Sequence, residues 1–276
     1  MNGKYYEISK RYPRFLTKAV TLSYDDGRDF DRKMIEILNE YGIKCTFNLN
    51  SGSLDSSSRF VTSAEVRELY SGHEVACHTV NHPHLNNLDN AGIVYEVIKD
   101  REYFEDIMQQ SVRGFAYPYG LCETEGMIDS IKSCGIKYAR TTVSTRNFDL
   151  PCDLLRLKPT CHQVDSKLYE LIDRFFEPDD TEHPWRIKPK LFYIWGHSYE
   201  YENNWKALEK MCKALSGHDD VWYATNIEII DYITAFDMLV RSANGKYVYN
   251  PTDKDLYAVV NNKEIVFEAG KSYILE

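Results

Sequence analysis

The chain has 276 residues, 43% of them hydrophobic, with 42 acidic against 33 basic side chains and a formal net charge of -9. That length holds one large α/β domain with room for a small appendage. The negative mean hydropathy and the lack of any apolar run of about 18 residues speak against a membrane protein. The acidic balance speaks against nucleic acid and anionic membranes as partners, because phosphates require clustered Lys and Arg.

No basic segment followed by an apolar stretch opens the chain, and Met1-Asn2-Gly3-Lys4-Tyr5-Tyr6 reads as a native start, so a cytoplasmic location is expected. Seven cysteines without a C-x-x-C pair, several beside strand-like runs (Cys45, Cys77, Cys161), are expected to be reduced, buried thiols of a reducing compartment.

In chain order, strands and helices alternate. Residues 19–24 form a strand that ends at Asp25-Asp26-Gly27, and 29–41 a helix with Met34, Ile35, Ile37 and Leu38 on one face, stopped at Gly42. A second strand at 44–49 and a Ser-rich loop at 51–58 lead to a helix opened by a Thr62/Glu65 capping box. A third strand at 74–77, a long helix over 90–110, a fourth strand at 114–117, helix 124–134 and strand 137–142 follow. Then come a less regular stretch with a strand at 154–159, helix 165–176, strand 191–195, helix 203–215, strand 221–224 and helix 226–240.

Seven or eight β/α units predict a parallel sheet, closed into a distorted (β/α)7-8 barrel over residues 1–240 in preference to an open doubly wound sheet. From residue 241 to 276, short runs broken by Gly245, Asn250-Pro251 and Asn261-Asn262 predict a small antiparallel β appendage packed on the barrel.

Barrel active sites gather at the C-terminal ends of strands. The residues at those ends are Asp25-Asp26, His78, Tyr117-Pro118-Tyr119-Gly120, Arg140, His197 and Thr225-Asn226. Two adjacent carboxylates emerging from a buried strand demand a cation, since burying such charges unpaired is costly. His78 and His82, four apart, would share one face of a helical turn and suit a divalent metal, whereas His84 falls off that face and His73 lies at the far end of its strand. A histidine at the end of an apolar strand, His197, suits a general acid near neutral pH. Trp195 and Trp222 are expected to fill the barrel.

The ordered segments Thr21-Leu22-Ser23-Tyr24-Asp25-Asp26-Gly27, His78-Thr79-Val80-Asn81-His82, Tyr117-Pro118-Tyr119-Gly120 and His197 resemble the motifs of NodB-type polysaccharide deacetylases, carbohydrate esterase family 4. The resemblance covers roughly residues 15–236 and implies a distorted (β/α) barrel that removes acetyl groups from an N-acetylated sugar or polysaccharide with a divalent metal. That metal is zinc in first place, with cobalt, nickel or manganese as alternatives. By position, Asp25 resembles the general base; Asp26, His78 and His82 the metal ligands; Tyr119 the residue whose backbone N–H holds the oxyanion; and His197 the general acid.

The chain departs from the family at three points. The arginine that pairs with the base in the third motif is Ala116 here, and Arg140 on the next strand is the candidate replacement. The aspartate that orients the general acid has only Asp149 as a weak counterpart. The aspartate that follows the histidine is Ser198, which leaves Glu200 to orient His197 or to meet substrate. The alternatives are an amidase or a cyclic-imide or ureide hydrolase of the same superfamily, and a non-catalytic carbohydrate-binding relative. The expected partner is an N-acetylated sugar or oligosaccharide; the oligomeric state is open.

Overall fold

The structure, a computed structural model, describes residues 6–179 and 182–275; residues 1–5, where most of the native start was read, lie outside them. A short strand β1 (Ile8–Arg11) precedes the first barrel strand, β2 (Lys18–Asp25). Then come α1 (Asp31–Glu40), β3 (Cys45–Leu49), the single-turn α2 (Val66–Leu69), β4 (Glu74–Cys77), α3 (Asn90–Met108), β5 (Gly114–Ala116), α4 (Glu125–Ser133) and β6 (Tyr138–Arg140). A long irregular stretch leads to β7 (Cys161–His162), α5 (Leu168–Phe175), β8 (Lys190–His197), α6 (Trp205–Leu215), β9 (Val221–Tyr223) and α7 (Asn226–Asp237). The chain ends in β10 (Val240–Arg241), β11 (Tyr247–Tyr249), β12 (Leu256–Val260), β13 (Lys263–Phe267) and β14 (Ser272–Ile274).

The parallel sheet runs β6-β5-β4-β3-β2-β8-β7. Its open side is bridged at Leu157, whose N–H donates to the Ala139 carbonyl at 2.9 Å and whose own carbonyl accepts from the Thr141 N–H at 2.8 Å. The result is a distorted (β/α)7 barrel in which residues 157–162 form the sixth stave. The expected strand at 154–159 does not form as such. The Asp153 carboxylate takes the N–H groups of Leu155 and Arg156, both at 3.1 Å, and winds Leu154–Arg156 into a 3-10 turn. Only Leu157 is left to join the sheet.

Strand β9 pairs with Lys18–Val20 of β2, below the Leu22–Asp25 segment that pairs with β3. It therefore supports the floor of the barrel, and Thr225-Asn226 does not belong to the strand-end set. Asn226 lies low in the interior, where it accepts from the Thr21 hydroxyl at 2.8 Å and donates to the Tyr193 hydroxyl at 2.7 Å. The floor is sealed by α7 and the C-terminal strands, with Ile229, Ile230 and Ile233 packed near Ala19, Leu191 and Tyr193. Trp222 belongs to this outer layer, against Tyr12 and Tyr232, rather than filling the barrel. The last strands form two three-stranded antiparallel sheets, and β1 joins one of them by pairing with β12.

Period-two alternation explains the rest. Val20, Leu22 and Tyr24 of β2 face the helices and pack with Met34 and Leu38 of α1, each large buried side chain contributing about 1.5–3 kcal/mol. Thr21, Ser23 and Asp25 point the other way, so the barrel interior is polar and must satisfy its own hydrogen bonds. Strand β5 contributes Gly114 and Ala116 to that interior, in register with Tyr138 and Arg140 of β6. A Cβ on Gly114 would meet the Tyr138 ring at 2.6 Å, so a small residue on one strand makes room for a large one on the next. All seven cysteines are free, with Cys45, Cys77 and Cys161 buried. No helix among the described residues is long and apolar enough to cross a membrane.

Near the floor, the buried Glu74 carboxylate accepts from Thr46 Oγ1 and Tyr138 OH at 2.8 Å and from the Ile227 N–H at 2.9 Å. Burial outweighs these donors and pushes its pKa up to about 7. A carboxyl whose folded pKa lies above its unfolded value favours the folded state when protonated, so stability falls as pH rises from about 4.5 through 7. The buried Asp31 and Asp100 carboxyls are likewise pushed up to about 7 and add to the same fall, so Glu74→Gln should make the urea-unfolding slope shallower by on the order of 2 kcal/mol across that window without abolishing it. An equal slope in the variant would assign the pH dependence to other groups.

Candidate active site

The upper interior is organised around Asp25, which is 3% exposed. Asn48 Nδ2 donates to its Oδ1 at 2.8 Å, and Arg140 Nη2 donates to its Oδ2. Ala116 and Arg140 are direct partners across β5 and β6, so the small side chain on one strand leaves the guanidinium its path to Asp25. Arg140 is fully buried and lies over the Trp195 ring, 4.6 Å from its centroid. Burial alone would raise the Asp25 pKa, but Arg140, His78 and His197 outweigh it and hold the carboxyl below its usual range. A carboxylate is thus the resting state, and each of its oxygens accepts one protein donor while keeping a second acceptor site.

Asp26 leaves the strand with φ 82, a left-handed conformation that turns its side chain away from the Asp25 network. Its Oδ1 lies 3.7 Å from both His78 Nε2 and His82 Nε2. These three residues present ligand atoms within 4.8 Å of one another. His78 Nδ1 bonds to the Ala116 carbonyl at 2.8 Å, which places the proton there and leaves the Nε2 lone pair free toward Asp26. Burial lowers the His78 pKa despite Asp25 and Asp26, so the ring is neutral, as a metal ligand must be. The donor set and its hydrogen bonds fit a divalent cation.

The two histidines do not share a helical turn. Residues 78–82 form a loop with Thr79 at φ 71 and His82 at φ 52, and the rings meet edge to face at 4.7 Å. What fixes this loop is helix α3. Asp100 accepts the His78 N–H at 2.9 Å and the Ser51 N–H at 2.8 Å. Glu96, one turn earlier, takes the Asn81 N–H at 2.9 Å and its side-chain amide at 2.8 Å. The sequence reading missed both acids. Their signal was present: they sit on the same 3–4-spaced stripe of α3 as the buried Ile93, Val97 and Phe104, where an unpaired carboxylate is not tolerated.

His197 lies opposite, at the end of β8, with Nε2 4.0 Å from Asp25 Oδ2. Its Nδ1 bonds to Glu200 Oε1 at 2.8 Å. Glu200 also faces His162 Nε2 at 3.5 Å and accepts from Gln163 Nε2 at 2.8 Å. The same Gln163 nitrogen donates to the His197 carbonyl at 2.9 Å, an approach open only because residue 196 is glycine, whose Cβ would lie 2.4 Å from Gln163 Cδ. Burial would lower the His197 pKa, but the Glu200 bond and the Asp25 and Asp26 charges raise it. His162 and Gln163 were not legible in the sequence, because the stave that carries them has only two residues of regular strand. Asp149 is remote: it follows the Phe148 carbonyl that accepts from Leu191 N–H near the start of β8, about 20 Å of strand from His197.

Tyr119 takes φ 60 within the Pro118–Gly120 turn and is 50% exposed. Its ring meets His82 edge-on at 4.6 Å and stacks flat on His84 at 3.8 Å. His84 thereby forms part of the rim, although it is not among the ligand candidates. His73 is structural, accepting the Cys45 N–H at 3.1 Å.

Residues 14–139 match the family model described as polysaccharide deacetylase. That segment contains Asp25, Asp26, His78, His82 and Tyr119 and stops one residue short of Arg140. Over 100 residues the chain is 34% identical to chitin deacetylase 1 of Cryptococcus neoformans, which covers 36% of this chain and 20% of that protein. It is 25% identical to a chitooligosaccharide deacetylase of Sinorhizobium fredii, covering 54% of this chain and 69% of the relative. The chain therefore spans about a fifth of the fungal relative's length. Among solved structures, the Xyl-CE4 domain of a multidomain xylanase from the hindgut metagenome of Trinervitermes trinervoides shares the fold. Its TM-score is 0.54 at 16% identity, covering 79% of this chain and 92% of that one. A family 4 acetyl xylan esterase from Clostridium thermocellum superposes with TM-score 0.52 at 16% identity, covering 77% and 90%.

Because Glu96 holds the loop between the two histidines without touching either ring, Glu96→Ala should weaken zinc binding about tenfold while the far-ultraviolet circular dichroism stays native. Competition against a chromophoric chelator measures this, and an unchanged affinity would show that the loop keeps its shape without α3.

Proposed function

We propose that this chain, which belongs to the polysaccharide deacetylase family through residues 14–139, is a metal-dependent hydrolase that removes the acetyl group from an N-acetylated sugar or oligosaccharide. The observation that carries the reading is the division of the Asp25-Asp26 pair. One carboxylate is locked to Arg140 and Asn48, and its neighbour is turned toward two imidazole Nε2 atoms. Asp26, His78 and His82 would hold the ion, and an N2O donor set favours zinc. When bound, the ion polarises the acetyl carbonyl and acidifies water.

Asp25 takes the proton of the attacking water. Arg140 keeps it ionised and fixes its direction, so little reorganisation is needed at the moment of transfer. Water oxygen bonds to the acetyl carbon, and the Tyr119 backbone N–H donates to the oxygen on which charge develops, aimed there by the left-handed turn after Pro118. His197 then gives its Nε2 proton to the leaving nitrogen as the C–N bond breaks, yielding acetate and an amine. Glu200 supports this step by accepting from Nδ1, which fixes the tautomer and favours the imidazolium.

The stacked Tyr119 and His84 rings offer an apolar face beside the metal ligands that suits a sugar ring. Acetate release from N-acetylated chito-oligosaccharides, with zinc supplied and after chelation, tests the whole reading. Asp25→Asn should retain zinc at wild-type stoichiometry yet lose turnover by about a hundredfold or more; turnover preserved in that variant would remove Asp25 from the base role. Activity requires Asp25 ionised and His197 protonated, so kcat/KM should decline on the alkaline side as His197 loses its proton, above the ordinary histidine value. Glu200→Gln withdraws the charge that raises that pKa, and its alkaline limb should move to lower pH. A limb that stays in place would separate Glu200 from the general acid.

A further inference from the structure

Arg28 stands two residues beyond Asp26, on the rim between the loops that follow β3 and β8. Its guanidinium lies 5.2 Å from the Phe60 ring centroid and 5.0 Å from that of Tyr199. Nε donates to the Arg59 carbonyl at 3.1 Å, and the Arg28 backbone bridges to Phe60. Two aromatic faces and one hydrogen bond hold a side chain that ordinarily keeps much rotamer freedom. Neither Nη atom has a hydrogen bond or ion pair among the described residues, so the two terminal donors of the fork are uncommitted.

Tyr199 connects this group to the reaction centre, because its ring lies 5.0 Å from that of His197. Burial, with Asp26 and Glu200, pushes the Tyr199 hydroxyl up to about 12, so it is a neutral neighbour and not a competing anion. Among the described residues no carboxylate oxygen lies within 4.0 Å of the Arg28 guanidinium, and the neighbouring Arg32 is itself paired with Glu65. In a chain of net charge -9, beside a centre built from carboxylates, a held cation with a free fork is a local reversal of sign. Hydroxyl groups of a neutral sugar do not require it. A carboxylate or phosphate does, since two parallel Nη–H donors match two anionic oxygens.

We propose that Arg28 forms an anion subsite at the rim, so that the preferred substrate carries a carboxylate or phosphate on a unit next to the acetylated sugar. This rests on the deacetylase reading above and deepens it. Arg28 acts on binding and takes no part in the bond-breaking steps.

The test compares acetate release from three N-acetylated oligosaccharides of equal length: one neutral, one bearing a carboxyalkyl ether and one bearing a phosphate ester on the neighbouring unit. The zinc-loaded wild type should favour an acidic member by about tenfold or more in kcat/KM, mainly through KM. That preference should shrink as salt rises from about 0.05 to 0.5 M, and the two acidic arms tell which anion is read. Arg28→Gln should cut the acidic-to-neutral ratio by about tenfold, and Arg28→Lys, with charge but no planar fork, should fall between. No acidic preference in the wild type, or a loss in Arg28→Gln that is equal for all three substrates, overturns the subsite and leaves the deacetylase reading standing. No acetate from any substrate overturns that reading and the subsite with it.

Discussion

The buried ion pair between Asp25 and Arg140 is the constraint on which the barrel interior depends. Both side chains are withdrawn from water, and desolvating two charges is repaid only when geometry is good and the remaining polar atoms find partners. Asn48 completes Asp25, and the Trp195 ring covers the guanidinium, whereas Arg140 Nε remains without a partner. Removing either member of such a pair costs about 3–5 kcal/mol through the charge left behind. The requirement propagates outward. Arg140 needs a small neighbour on β5, which is Ala116, and Ala116 in turn offers its carbonyl to His78 Nδ1. The charge beside Asp25 thus comes from β6, and one of the candidate metal ligands is anchored to the small residue that makes room for it.

Strand parity separates the two acids that stand side by side in the chain. Asp25 ends the strand in phase with Ser23 and Thr21 and enters the interior network. Asp26, one residue later, would face the helices if the strand continued, where Tyr24 and Leu22 already fill the apolar layer. Positive φ at Asp26 and Gly27 breaks the strand instead and brings the second carboxylate back over the barrel mouth. Adding a Cβ at Gly27 would press on Leu49 at 3.2 Å in a backbone conformation that side chains resist.

Much of this was legible in the chain. The apolar, β-favouring run at residues 19–24, the alternation of strands with amphipathic helices, and the ordered motifs pointed to the barrel and to the residues that meet at its mouth. The misreadings share a cause, which is that local pattern does not specify backbone torsion or the partner of a short segment. Four-residue spacing between His78 and His82 suggested a helical turn, but two left-handed residues and the acids of α3 set a loop that still converges on Asp26. Residues 154–159 carry strand-like apolar character, yet Asp153 caps their N–H groups and turns them. Val221–Tyr223 reads as one more barrel strand, and only its register, against the first residues of β2, reveals it as a floor.

The two sides of the site are built with different degrees of local encoding. Asp25 depends on groups drawn from β3 and β6, separated from it by 23 and 115 residues, so its charge state is a property of the closed barrel. His197 obtains its carboxylate partner within one 3-10 turn, Ser198–Tyr201, whose tight winding brings residue 200 back over residue 197. That local pairing supports the imidazole although Asp149 lies remote. It also loads Glu200 with Gln163 and His162, two groups from the sixth stave. The weakest joint of the ring, bridged to β6 only at Leu157, is therefore tied to β8 through the partner of the proposed acid. The segment that closes the barrel thus also carries two of the groups that hold the carboxylate partner of that imidazole.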